Sequence, residues 1–153
     1  MSLARGLRWL GIGVVVAVLI LQLVPYGRSH TNPAGRVEPH WDTPATRGLA
    51  VRACYDCHSN ETVWPWYSHV APLSWLVQRD VDEGRRKLNF SEWDRPQKEA
   101  RESAKTVRKG EMPPWFYTLI QRDARLGEAE AQALTAGLEA TLGTKGAKGR
   151  DDD

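Results

Sequence analysis

The chain has only two cysteines, and they stand three residues apart. A disulfide between them would be strained and would close a trivial loop, so it would stabilise little. Methionine is as scarce: apart from Met1 there is Met112 alone. The net charge is +2, with Lys and Arg scattered among Asp and Glu, so no basic field points to nucleic acid. Acidic residues are absent from positions 1–24. No stretch sustains a period-two alternation, which argues against strands and for an all-α fold. The aliphatic stripes are thin for a core of roughly 100 residues, and small domains with thin cores need a staple.

One long apolar run is present. "WLGIGVVVAVLILQLV", residues 9–24, holds a single polar residue, Gln22, and no charge. Sixteen helical residues rise about 24 Å, and flanking Leu7, Pro25 and Tyr26 lengthen the span. The run is apolar on every face, unlike an amphipathic core helix. Pro25 and Tyr26 stand where a cleavage site would need small residues, so residues 1–26 read as a retained single-pass anchor. Arg5 and Arg8 precede the run, which keeps the N-terminus in the cytoplasm and exports the rest. Residues 27–42 are rich in Pro, Gly and polar groups and read as a linker, with His30 and His40 solvated.

Thr43-Pro44 has the form of a helix start, Thr as N-cap and Pro at the first helical position, with Leu49, Ala50 and Ala53 inward. A second helix fits "APLSWLVQRDVDEG", with Leu73, Leu76, Val77 and Val81 as its stripe and Gly84 beyond its end. "SEWD" at 91–94 has capped-turn spacing. Residues 97–109 place Ala100, Ala104 and Val107 on one face before Gly110, and 128–142 place Ala131, Leu134, Leu138 and Leu142 on one face before Gly143. Residues 43–143 thus form one helical domain, and 144–153 read as a disordered polar tail.

The chemistry concentrates in "CYDCH", Cys54 to His58. C-x-x-C-H is the attachment signature of c-type haem. Thiols at i and i+3 lie one helical turn apart on one face. From there both can form thioethers to the vinyl groups of one porphyrin, and His58 supplies the proximal nitrogen. Two other readings compete. Zinc could take Cys54, Cys57, His58 and His69, although the second spacing is long for a finger. A thiol–disulfide catalyst would expect a βαβ context, which is missing.

A soft thioether opposite His suits haem iron, which points to Met112 in "GEMPPWFY" as sixth ligand. The two prolines after it hold the loop extended. His69 is the rival ligand. Trp64, Trp66, Trp75 and Trp115 suit a porphyrin face or edge, or serve as ordinary core. Arg85, Arg86 and Lys87 suit propionates or an acidic partner, or simply face water.

Together "CYDCHSN", "WPWYS", "APLSW", "LNFSEW" and "GEMPPW" resemble the haem-binding domain family of small bacterial proteins, over about Thr43 to Leu142. The resemblance implies one c-type haem, often a membrane anchor, and an all-α fold similar to class I cytochromes c. It places attachment at Cys54, Cys57 and His58 and the second ligand at Met112. The expectation is a non-enzymatic electron carrier on the periplasmic side of the bacterial inner membrane. Its partners would be the membrane and other redox proteins, with no small-molecule substrate and no nucleic acid. The alternatives are a haem sensor or peroxidase-like enzyme with a labile sixth ligand, and a thiol redox protein.

Overall fold

A computed structural model describes residues 3–35 and 37–143; the expected tail, 144–153, lies outside the described residues. Among the described residues seven α-helices run in order: α1 (Leu3–Leu21), α2 (Pro44–Ala53), α3 (Tyr55–His58), α4 (Leu73–Lys87), α5 (Ala100–Arg108), α6 (Trp115–Ile120) and α7 (Glu128–Leu142). Single 3-10 turns occupy Trp66–His69 and Arg122–Ala124. Among the described residues there is no strand, only an isolated bridge between Val37 and Glu92. The fold is all-α.

The chain divides into two compact units, Met1–Thr31 with Val63–Asp82 and Asn32–Thr62 with Glu83–Asp153. In the first, α1 is exposed on all faces and long and apolar enough to cross a membrane. Its nineteen residues rise about 28 Å, close to the ~30 Å of a hydrocarbon core. Beyond its end, the Gln22 amide pairs with both backbone groups of Ala71, each at 3.0 Å. Gly27 adopts φ +80°, and a Cβ there would fall 2.5 Å from the Ser74 carbonyl oxygen. His30, expected in solvent, is half-buried. Its Nε2 lies 2.9 Å from the Ser68 carbonyl, and its ring packs 4.6 Å from Trp64 and 4.3 Å from His69. His40 is exposed.

The second unit holds the core. Ala50, Ala53, Tyr55, Leu88, Phe90, Ala104, Val107, Leu134 and Leu138 form one buried cluster. Thr43 caps α2 by accepting from the Thr46 amide at 3.1 Å, with Pro44 following. α7 packs on α5 and α2 and stops at Gly143, φ +75°. The α2–α7 crossing is close enough that a Cβ on Gly137 would stand 2.2 Å from Thr46 Oγ1. Glu130 accepts from the Gly127 amide at 2.9 Å and pairs with Arg52 at 2.6 Å, joining the same two helices. Aromatic rings gather on Phe90: Trp41 at 5.2 Å, Tyr55 stacked at 5.7 Å and Trp93 stacked at 6.2 Å. Ser91 bonds the Asn60 amide at 3.0 Å rather than capping the 91–94 turn.

α4 departs from its expected phase and length. It runs through Gly84 to Lys87, and its buried row is Ser74, Gln78, Val81 and Gly84. Leu73 and Leu76 face outward. The cause is Gly84: a Cβ there would lie 2.3 Å from the Cys57 carbonyl oxygen. The bare backbone is what permits the approach, so the glycine sets which row turns inward, not the largest aliphatic side chains.

Candidate haem site

Cys54 ends α2, its amide donating to the Ala50 carbonyl at 2.8 Å, and the chain turns at once into α3. The amides of Cys57 and His58 both donate to the Cys54 carbonyl, at 3.1 and 2.9 Å. The two thiols and the imidazole therefore leave a single helical turn. Both cysteines are half-buried and form no disulfide. Burial pushes the Cys54 thiol up to about 12, and the neighbouring Cys57 adds to this. A nucleophilic redox thiol needs the opposite shift.

The His58 ring is fixed from behind. Nδ1 lies 3.0 Å from the Leu88 carbonyl and 3.2 Å from the Gly84 carbonyl. Carbonyls only accept, so Nδ1 carries the proton and Nε2 keeps its lone pair. Burial lowers the His58 pKa, and the two carbonyl contacts oppose that shift without reversing it. The ring is thus held neutral, with its outer nitrogen available to a metal, the tautomer that a ligating histidine needs.

The segment after His58 is tied to the end of α4 and the loop that follows. Phe90 N–H donates to the His58 carbonyl at 2.8 Å. Buried Asn60 accepts from Asn89 and donates to Glu92, both at 2.8 Å. Arg85 donates to the Ser59 carbonyl at 2.7 Å and to Thr62 and Asn32 at 2.9 Å. Arg85 is thus a clamp on the attachment segment rather than a free cation at a helix end. Lys87 pairs with Glu83 at 3.1 Å, and Arg86 is exposed.

Met112 follows Gly110, which closes α5 at φ +70°. The amides of Glu111 and Met112 both donate to the Thr106 carbonyl, at 2.9 and 3.3 Å. The Met112 side chain is 37% exposed. After Pro113 and Pro114 comes α6, which has no fully buried residue and leaves Trp115, Phe116, Leu119 and Ile120 uncovered. A hydrogen bond joins this segment to the attachment turn: Tyr117 O–H donates to Asp56 Oδ2 at 2.6 Å. Asp56 stands between the two cysteines. Sequence reasoning missed this pair, because nothing local links residues 61 apart.

His69 lies in the other unit, exposed, its ring edge-on to His30. Among the described residues no group of three or more His, Cys, Asp or Glu is placed to hold a metal ion, so the zinc reading finds no ligand set. Trp66 and Trp115 are exposed, whereas Trp64 and Trp75 bury indole N–H groups that have no hydrogen-bond partner among the described residues. The donor set of the second unit fits haem: an oriented imidazole with a lone pair, two thiols on its turn, a thioether, and an uncovered apolar helix next to that thioether.

The model of a haem-binding domain family matches residues 16–140. No curated protein and no solved structure matches the chain. With most of its length matched, the chain belongs to the haem-binding domain family and is a haem-binding protein.

Proposed function

We propose that this chain is a membrane-anchored, single-haem c-type cytochrome that carries one electron at a time on the outer face of a bacterial inner membrane. Cys54 and Cys57 would hold the porphyrin through thioethers, and His58, through Nε2, and Met112 would hold its iron. A haem so held supplies a one-electron couple, with a potential raised by the methionine. A haem held by both His58 and Met112 would suit one-electron transfer rather than binding of a substrate at the metal. Arg5 and Arg8, in the first turns of α1 ahead of its apolar run, would orient the domain outward. The observation that carries the reading is the His58 Nδ1 contact with two carbonyls, on the same turn as both thiols.

The test is a pyridine haemochrome assay on protein made with a bacterial haem-maturation system. The expected spectrum is that of a haem with two thioether links, which acid solvent does not extract. Met112→Ala should keep its haem, lose the methionine–iron charge-transfer band and fall in potential. Colourless folded protein would end the proposal. A resting high-spin spectrum that shifts with cyanide would favour a sensor or peroxidase-like enzyme instead.

A further inference from the structure

The chain is 26% charged, yet residues 63–78 contain no Lys, Arg, Asp or Glu. The same stretch holds Trp64, Trp66, Tyr67 and Trp75. Its 3-10 turn, Trp66–His69, puts Trp66 at 79% exposure, and Val70 and Leu73 are exposed beside it. An uncharged, aromatic, outward-facing segment is unusual on a protein surface in water. It is the ordinary composition of the headgroup zone of a bilayer, where amphipathic rings sit.

The structure says where this segment lies relative to the apolar helix. The Gln22 amide makes two hydrogen bonds of 3.0 Å to the backbone of Ala71, and its Nε2 also donates to the Val18 carbonyl at 3.0 Å. Gly27 presses on Ser74, leaving no room for a side chain between them. The 63–78 segment is therefore bonded to the turn that directly follows α1. If α1 spans a hydrocarbon core, its end lies at the core boundary, and Ala71 with it. Trp66 stands five residues before Ala71, within about 13 Å along a 3-10 turn and two extended steps.

We infer that residues 63–76 form a second membrane contact, lying in the neutral headgroup–acyl boundary of the bilayer that α1 crosses. This rests on the reading of α1 as a membrane span. The anchor is then a docked stem, not a free tether. Trp66 and Val70 enter the interface as side chains, while the backbone stays bonded within its own unit. The segment carries no basic cluster, so the contact is not an attraction to anionic lipid and is insensitive to salt.

The experiment uses the full haem-loaded chain in nanodiscs of phosphatidylcholine doped with a phosphatidylcholine that bears a diazirine near its ester. After illumination, adducts are mapped by mass spectrometry at low and high salt. Adducts on both 3–24 and 63–76, equal at the two salt concentrations, are expected. Trp66→Glu should lower the 63–76 yield several-fold and leave the 3–24 yield unchanged, with haem content confirming its fold. Adducts on 3–24 alone would overturn the inference and leave the anchor standing, as would a Trp66→Glu variant labelled like the parent. Adducts on neither segment would overturn both.

Discussion

Gly84→Ala is the substitution with the most to reveal about the attachment turn. The added Cβ would stand 2.3 Å from the Cys57 carbonyl oxygen, 3.0 Å from its carbon and 3.2 Å from the Cys57 Cβ. Ordinary contact begins near 3.4 Å, so α4 and the turn must separate by roughly 1 Å. The obstructing atoms are backbone, so no rotamer relieves them. Overpacking of this kind costs about 1–3 kcal/mol, and alanine returns about 0.5–1 kcal/mol of helix propensity, leaving a net loss of up to roughly 2.5 kcal/mol. The separation also lengthens the His58 Nδ1 contacts with the Gly84 and Leu88 carbonyls, now 3.2 and 3.0 Å. A less supported imidazole is a weaker ligand base. Gly48→Ala is the control. Gly48 also lies within a helix, α2, but nothing stands within 4 Å of its missing Cβ, so only the gain of about 0.5–1 kcal/mol applies. Urea melts of the two haem-loaded variants should move in opposite directions. The reduction potential should rise in Gly84→Ala alone, because a less basic imidazole stabilises the oxidised iron less. Equal stabilisation of both variants would refute the claim that Gly84 seats α4 on the attachment turn.

What the sequence disclosed was what is local. Two cysteines and a histidine within five residues share one helical turn whatever the rest of the chain does. The ends of α2 and α7 were readable because Thr43, Pro44 and Gly143 act through their own backbone geometry. Periodicity found Leu134 and Leu138 because α7 packs a regular face. It misplaced the inward row of α4, because that phase is set by a close approach to residue 57, and a missing side chain leaves no hydrophobic trace. Phe90 was passed over for a related reason. It sits in a loop with no period, and it is central only because Trp41, Tyr55 and Trp93 arrive from separate segments. α3 and α6 are too short to show a repeat. Arg85 looked like one of three helix-end cations until its bonds to Ser59 and Thr62 gave it a place.

Three further outcomes follow from the same contacts. Gly137→Ala should destabilise by about 1–3 kcal/mol, because its Cβ would meet Thr46 at 2.2 Å across the α2–α7 crossing; partial recovery in a Gly137→Ala, Thr46→Ala double variant, whose residue-46 Cβ still lies 2.8 Å away, would confirm the cause by thermal melts. Glu38 is held below its ordinary pKa by hydrogen bonds from Arg47 at 2.6 and 2.7 Å, so its contribution is complete above the usual carboxylate range and fades as pH falls through the lowered value. Glu38→Gln should flatten that acid limb by about 1 kcal/mol in denaturation measured from pH 7 to pH 3. The most telling is Tyr117→Phe. It removes one oxygen and with it the 2.6 Å bond to Asp56. α6 buries no residue fully, and this bond ties the Met112 segment to the turn that holds the thiols. The variant should retain its haem, because the thioethers do not depend on α6. If Met112 ligates the iron, imidazole should displace it faster from the oxidised variant, by roughly tenfold for about 1.4 kcal/mol of lost restraint. A structural loss elsewhere would lower the melting temperature without changing that exchange rate. An unchanged rate would therefore show that Met112 is positioned by something other than Tyr117.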